Sequence, residues 1–412
     1  MSRALTSGSP TAPGLEQAPV FPVLDTLRAV GAIAVLTTHS AFQSGDYTGH
    51  GVWGTVLSRL DIGVAIFFVL SGFLLSRPYL ARAAVGLPLP PTGRYYWKRL
   101  LRIFPVYAVT VVLALSLIDD NNGIGAGAWA RTLLLVDIYT AERLPHGLTQ
   151  MWSLAVEVSF YVVLPWLMLV TLGRSGRLRP WRVVGVLVAV TLVSITWLLL
   201  LGDLVGQSAP GVPMTWLPSY LTWFVIGIAL ALAHVLHQQD SRPAPVVRLL
   251  ETLGTMPGAC WAVAGAGLLA AATPLAGPAL LFVSTPAQAL TKHLVYAVIA
   301  GAVVITGVFA DRDSTYLRVM SAAPLRHLGH ISYSTFCIHL PVLYLVMGVM
   351  DYPLFGGHGL QIWALTLATS LIASELLYRF VEKPGLRLKD LGRSPHPASN
   401  VPTTKVEPAT TR

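Results

Sequence analysis

Residues 24–40 read LDTLRAVGAIAVLTTHS. Nearly every position between Arg28 and His39 is apolar or small, so the segment reads as a lipid-soluble helix that carries a guanidinium and an imidazole. A charged side chain at mid-membrane costs at least about 2.5–3.5 kcal/mol on insertion scales, and such residues normally face a bundle interior. The rest of the chain supplies the bundle. Of 412 residues, 54% are hydrophobic and 11% charged, against roughly 25% charge in soluble domains. Mean hydropathy is +0.63. The chain therefore reads as an all-α, polytopic membrane protein.

A crossing helix needs about 20 mainly apolar residues. Ten such runs are expected, at roughly 22–40, 62–80, 101–118, 151–172, 181–201, 214–236, 256–275, 289–310, 328–350 and 360–381. Pro105, Pro165 and Pro341 inside them are compatible with membrane helices. Lys and Arg accumulate in cytoplasmic loops and so set orientation. With the N-terminus inside, the inside segments hold 20 of these residues, while the outside loops hold 4: Arg59, Arg131, Arg143 and Lys292. Both termini are expected in the cytoplasm, with the chain multi-pass in the inner (plasma) membrane. The excess of base, 28 Lys plus Arg against 19 Asp plus Glu, thus reads as topology, and no nucleic-acid partner is expected.

The expected organisation is a disordered N-terminal tail over 1–20, a ten-helix membrane domain over 21–385 and a disordered cytoplasmic tail over 386–412. The polar start lacks a basic-then-apolar signal pattern, so the first span is expected to act as its own insertion signal. Cys260 and Cys337 lie in apolar segments, where a disulfide is not expected. The loop 119–150 contains an apolar run too short to cross, and an interfacial helix over the outer mouth is expected there.

The intramembrane polar residues each have a structural and a functional reading. Arg28 shares a helix face with Asp25, three residues earlier, as a plain ion pair or as part of an anion site. His39 lies eleven residues on, about 16 Å along the axis, near the outer face. In YYWKRLLRIFPVY, Arg99 and Arg102 point to one face; they either mark topology or clamp phosphates, which Arg binds bidentately. Glu157 in MWSLAVEVSFYVVLPW is a lone carboxylate at a depth expected near that of His39. His339 and Tyr333 in ISYSTFCIHLP sit in the ninth span, His339 near the bilayer centre, as a satisfied core His or a site residue. Ser71 and Gly72 in FFVLSGFLLS are small residues that serve close helix packing or let a thin ligand pass the backbone. Together, cations gather at the inner mouth and a His and a Glu near the outer end, which suits a long ligand with an anionic head and a reactive tip. No metal-ligand set is read.

LDTLRAVGAIAVLTTHS, GVAIFFVLSGFLLS, YYWKRLLRIFPVY, MWSLAVEVSFYVVLPW, LGHISYSTFCIHLPV and RFVEKPG resemble, in order, the blocks of the acyltransferase-3 family of integral membrane acyltransferases, over about 20–385. The resemblance implies O-acyl transfer from cytoplasmic acyl-CoA, acetyl-CoA above all, to a hydroxyl of a sugar-containing acceptor. That acceptor would be an envelope glycan or glycolipid, with a macrolide or other glycosylated metabolite as the alternative. No permanently bound cofactor is implied. By position, His39 matches the family's essential His and Arg28 its partner, Arg99 and Arg102 the Arg pair associated with CoA, and Glu157 the acidic residue of the Trp-Ser-Leu block. Phe336 and Cys337 stand where the family often shows Tyr or Leu.

In the resulting scheme His39 is the general base, Glu157 orients it or holds the acceptor, and Arg28 holds a phosphate or lines the channel. Ser71 and Gly72 flank the donor arm. His339, Tyr333 and Trp152 are candidate acceptor or oxyanion contacts. A ping-pong route through an acylated His39 is the variant. A transporter or flippase would use intramembrane charges equally well, and is the rival from another class.

Overall fold

The computed structural model describes residues 20–388, apart from 142, 174–175, 240–243 and 280–283. The tail called for over 1–20, except Val20, and that beyond Leu388 lie outside the described residues. Among the described residues the fold is helical throughout, without strands. All ten expected spans are helices: α1 Pro22–Ser44, α2 Ile62–Ala84, α3 Thr92–Leu117, α4 Met151–Leu172, α5 Pro180–Thr196, α6 Leu217–Gln239, α7 Pro257–Ala271, α8 Pro286–Val308, α9 Ala323–Val349 and α10 Gly359–Leu377. Among the described residues eight helices are long and apolar enough to cross a membrane, or nine with a bent pair counted as one span. The remaining one is α1, whose Asp25, Arg28 and His39 dilute its apolar content.

Three details differ from the expected spans. α3 begins nine residues early, because Arg94 to Arg102 continue the helix beyond its apolar part. The run at 256–275 gives only the 15-residue α7, joined through an 89° bend to the helix Pro245–Gly254. Pro257 explains the break: a residue before proline is pushed off helical geometry, and Met256 has φ −114°, ψ 63°. After α10 a π-turn over Tyr378–Glu382 leads into a last helix at Lys383–Arg387, so the expected boundary at 385 falls inside it. In the loop 119–150 one eight-residue helix, Ala126–Leu133, forms; Tyr107 of α3 donates to the Thr132 carbonyl and ties it down.

Small residues let the central helices meet. A Cβ on Gly63 of α2 would collide with the Gly31 carbonyl of α1, and one on Gly329 of α9 with the Asp25 carbonyl of α1. Close backbone approach through small residues is the usual currency of packing in lipid. α1 and α9 run side by side in one direction, since Thr26 bonds the Met320 carbonyl at 2.6 Å near their starts and His39 meets His339 further along. Pro341 in α9 lacks the N–H that would bond the Cys337 carbonyl. Gln150, at the head of α4, donates to that carbonyl instead at 2.9 Å, fixing α4 against α9.

Candidate active site

Two cavities lie along the bundle. The first, of about 110 Å³, is lined by Arg28 of α1, Ser71 of α2, Arg99 and Arg102 of α3, Glu157 and Tyr161 of α4, and Tyr333 of α9. Arg28 pairs with Asp25 at 2.7 Å. Asp25 also lies 3.8 Å from Arg326 and 3.7 Å from His330, so one carboxylate stands among two guanidinium groups and an imidazole. Arg102 pairs with Glu382, which is fully buried and accepts from Ser334 at 2.8 Å through its other oxygen. The Arg102 guanidinium sits 5.7 Å from the Tyr333 ring centre, and Tyr333 donates to the Ile103 carbonyl at 2.7 Å. Arg99 lies 5.8 Å from the Tyr161 ring centre, and its buried Nε has no hydrogen-bond partner. A buried donor left unpaired costs about 1–3 kcal/mol, and an anion would supply the missing acceptor. Glu157 accepts from Ser71 and, at 2.7 Å, from Tyr161, both through Oε1.

The second cavity, of about 280 Å³, is lined by His39, Thr38, Tyr47, Asp61, Gln150 and Trp152 among others. His39 Nδ1 lies 3.0 Å from His339 Nε2. His339 Nδ1 lies 2.8 Å from the Phe336 carbonyl. A carbonyl only accepts, so His339 Nδ1 carries the proton, His339 Nε2 accepts, and His39 Nδ1 is the donor to it. The neutral His39 is thereby fixed with its lone pair on Nε2, the state a base requires. At the rim Asp61 is held by Lys292 at 2.7 Å and by Tyr296, and Trp152 packs on Tyr220 at 5.0 Å between ring centres.

The structure thus brings Arg28, Ser71, Arg99, Arg102, Glu157 and Tyr333 together, and places His39 and Trp152 on the adjoining space, with the fully buried His339 behind His39. Three expectations are revised. Glu157 lines the arginine cavity rather than that of His39, held there by Ser71 of α2 and by Tyr161 one turn along its own helix; the partner of His39 is His339. His339 has both nitrogens engaged, so no donor remains for an oxyanion. Gly72 does not reach the cavity: a Cβ there would collide with the Phe224 carbonyl of α6, so its smallness serves packing. Sequence reading passed over Glu382, Asp61 and Tyr161. The signal for Glu382 was present as the one acid in the basic stretch YRFVEKPGLR.

A family model described as an acyltransferase domain matches residues 21–379. Similar curated proteins include the peptidoglycan O-acetyltransferase OatA of Listeria monocytogenes, 26% identical over 88% of this chain and 55% of that protein. The acyltransferase MdmB of Streptomyces mycarofaciens is 28% identical over 95% of this chain and 98% of its own. The O-acetyltransferase OatA of Staphylococcus aureus is 24% identical over 88% and 57%. The chain spans about half the length of the OatA proteins it matches. No solved structure matches it.

Proposed function

As this chain belongs to the acyltransferase-3 family, we propose that it is a multi-pass enzyme of the bacterial inner (plasma) membrane that moves an acetyl group from acetyl-CoA to a hydroxyl of an envelope glycan. The observation that carries the reading is the oriented His39, held through Nδ1 by His339 and lining one cavity while three arginines line the next. At about 110 Å³, against roughly 300–1,000 Å³ for pockets that enclose drug-sized ligands, the arginine cavity admits only a thin chain. The CoA nucleotide therefore stays at its cytoplasmic mouth, with phosphates on Arg99 and Arg102 as charge-assisted bonds and Arg28 behind them. The pantetheine arm enters, and Glu157 accepts an amide N–H from it. The second cavity, about 280 Å³, takes one sugar-sized part of the acceptor against Trp152.

His39 Nε2 removes the acceptor proton as the hydroxyl oxygen attacks the thioester carbonyl. The C–O bond forms, the C–S bond breaks, and the CoA thiolate takes the proton from His39. His339 holds the ring in register, the positioning role a carboxylate plays in other triads. The name of the Listeria relative, a peptidoglycan O-acetyltransferase, supports a peptidoglycan-like acceptor. The test is label transfer. Membranes with wild-type or His39→Ala protein are given acetyl-labelled CoA and, in separate arms, envelope glycan or a macrolide. Label entering the glycan with wild type alone supports the reading. Label entering only the macrolide moves the acceptor to the metabolite class. An acyl-protein adduct formed without acceptor and lost in His39→Ala would replace direct attack by the ping-pong route.

A further inference from the structure

The two cavities are neighbours with a wall between them. Val64, Ser153 and Phe336 line both. Phe67 of α2 lines the arginine side and meets Phe336 edge to face, with ring centres 5.9 Å apart and planes at 71°. Neither ring is loosely held. A Cβ on Gly31 would stand 3.3 Å from Phe67 Cε2, so the Phe67 ring lies against bare α1 backbone at the closest part of the α1–α2 crossing. Phe336 is buried, and its ring centre is 6.1 Å from that of His339. The Phe336 carbonyl is the acceptor that fixes His339. The wall therefore stands directly beside the histidine pair.

We propose that Phe67 and Phe336 set the length of acyl chain the enzyme transfers. The proposal rests on the donor entering through the arginine cavity. On that route the acyl group is the leading end of the donor and must pass between the two rings before the carbonyl reaches the hydroxyl beside His39. A two-carbon group needs a small displacement of one ring. A longer chain must keep both rings apart along its length, against close-packed surroundings that yield poorly to added methylenes. Ring substitution at 336 leaves the backbone carbonyl that orients His339, so the filter is separable from the base.

The test measures kcat/KM in membranes for acetyl-, butyryl-, hexanoyl- and octanoyl-CoA with wild type, Phe336→Ala, Phe67→Leu and Phe336→Trp. The wild type should favour acetyl. Phe336→Ala should raise the hexanoyl-to-acetyl ratio at least tenfold, and Phe67→Leu should raise it by a smaller factor. Phe336→Trp should lose acetyl transfer at least a hundredfold while binding labelled acetyl-CoA within about threefold of wild type. The proposal is overturned by an unchanged ratio in either widened variant that still transfers acetyl, or by wild-type acetyl transfer in Phe336→Trp. If Phe336→Ala fails to fold, Phe67→Leu and Phe336→Trp decide. Absence of transfer by wild type from every donor would overturn the acyl-transfer reading itself, and the filter with it.

Discussion

α1 and the helix running from Pro180 to Gly206 are opposites. The second is the most apolar of the candidate spans, and only 22% of its most apolar stretch is buried inside the protein. The first is too polar to be counted by composition, yet it touches α2, α8, α9 and α10 and carries Asp25, Arg28 and His39. In water the most apolar helix would be the core. In a bilayer lipid is as apolar as leucine, so apolarity alone draws no helix inward. Polar groups do, because they need partners. Hydropathy thus finds this lipid-facing helix with ease and passes over α1, the helix that carries Asp25, Arg28 and His39.

If α1 is the functional axis, His39→Ala should lower kcat/KM for acyl transfer by about 10²–10⁴-fold, the range expected for loss of a general base. Labelled acetyl-CoA should still bind. Full activity in that variant would end the contrast between the two helices. Next in size, Glu382→Ala strands Arg102 beside a vacated buried position; with Arg102 28% exposed, the cost should stay below the about 3–5 kcal/mol of a fully buried pair. Thermal unfolding in detergent should fall sharply and the KM for the donor should rise. A donor KM equal to wild type would separate Arg102 from donor binding.

His339→Ala removes the partner that fixes His39 and should cost about 10–100-fold, the scale seen when an orienting partner is lost. The loss should fall on kcat, with the donor KM little changed; a change confined to KM would place His339 in the acceptor contacts. Smallest of all, Leu200→Val on the lipid-facing helix, at a side chain 66% exposed, should stay within about 0.5 kcal/mol and leave kcat/KM within about twofold. A large loss there would mean that this face meets a partner rather than lipid.

The sequence was most legible where a residue type conflicts with its surroundings. Arg28, His39 and Glu157 stand out because apolar neighbours leave them few innocent roles. The spans were legible for the complementary reason, with ends displaced where a helix outlasts its apolar part, as at Thr92, or stops short of it, as at Ala271. Pairings across 300 residues, such as His39 with His339, are tertiary facts without a local trace. Glu382 was hidden by its basic neighbours, which read as topology. Gly72 illustrates a true degeneracy: one small residue suits a ligand path and a helix crossing equally, and only the position of Phe224 decides between them.

The close contacts of α1 along its length constrain change of a different kind. Arg28 and His39 occupy one continuous helix, clasped by α9 at Gly329 and by α2 at Gly63. Their separation is therefore counted in residues, and an extra one could be absorbed only by a π-turn such as that at Tyr378–Glu382, in a stretch where close-packed neighbours leave little room for it. A single insertion between them would advance His39 by 1.5 Å and swing it about 100° around the axis, away from His339 and into another neighbour. α1 should accordingly tolerate insertion or deletion even less than substitution in laboratory selection. Loops such as 119–150 should show the reverse. The segment LDTLRAVGAIAVLTTHS is in that sense a gauge, set by the number of its residues.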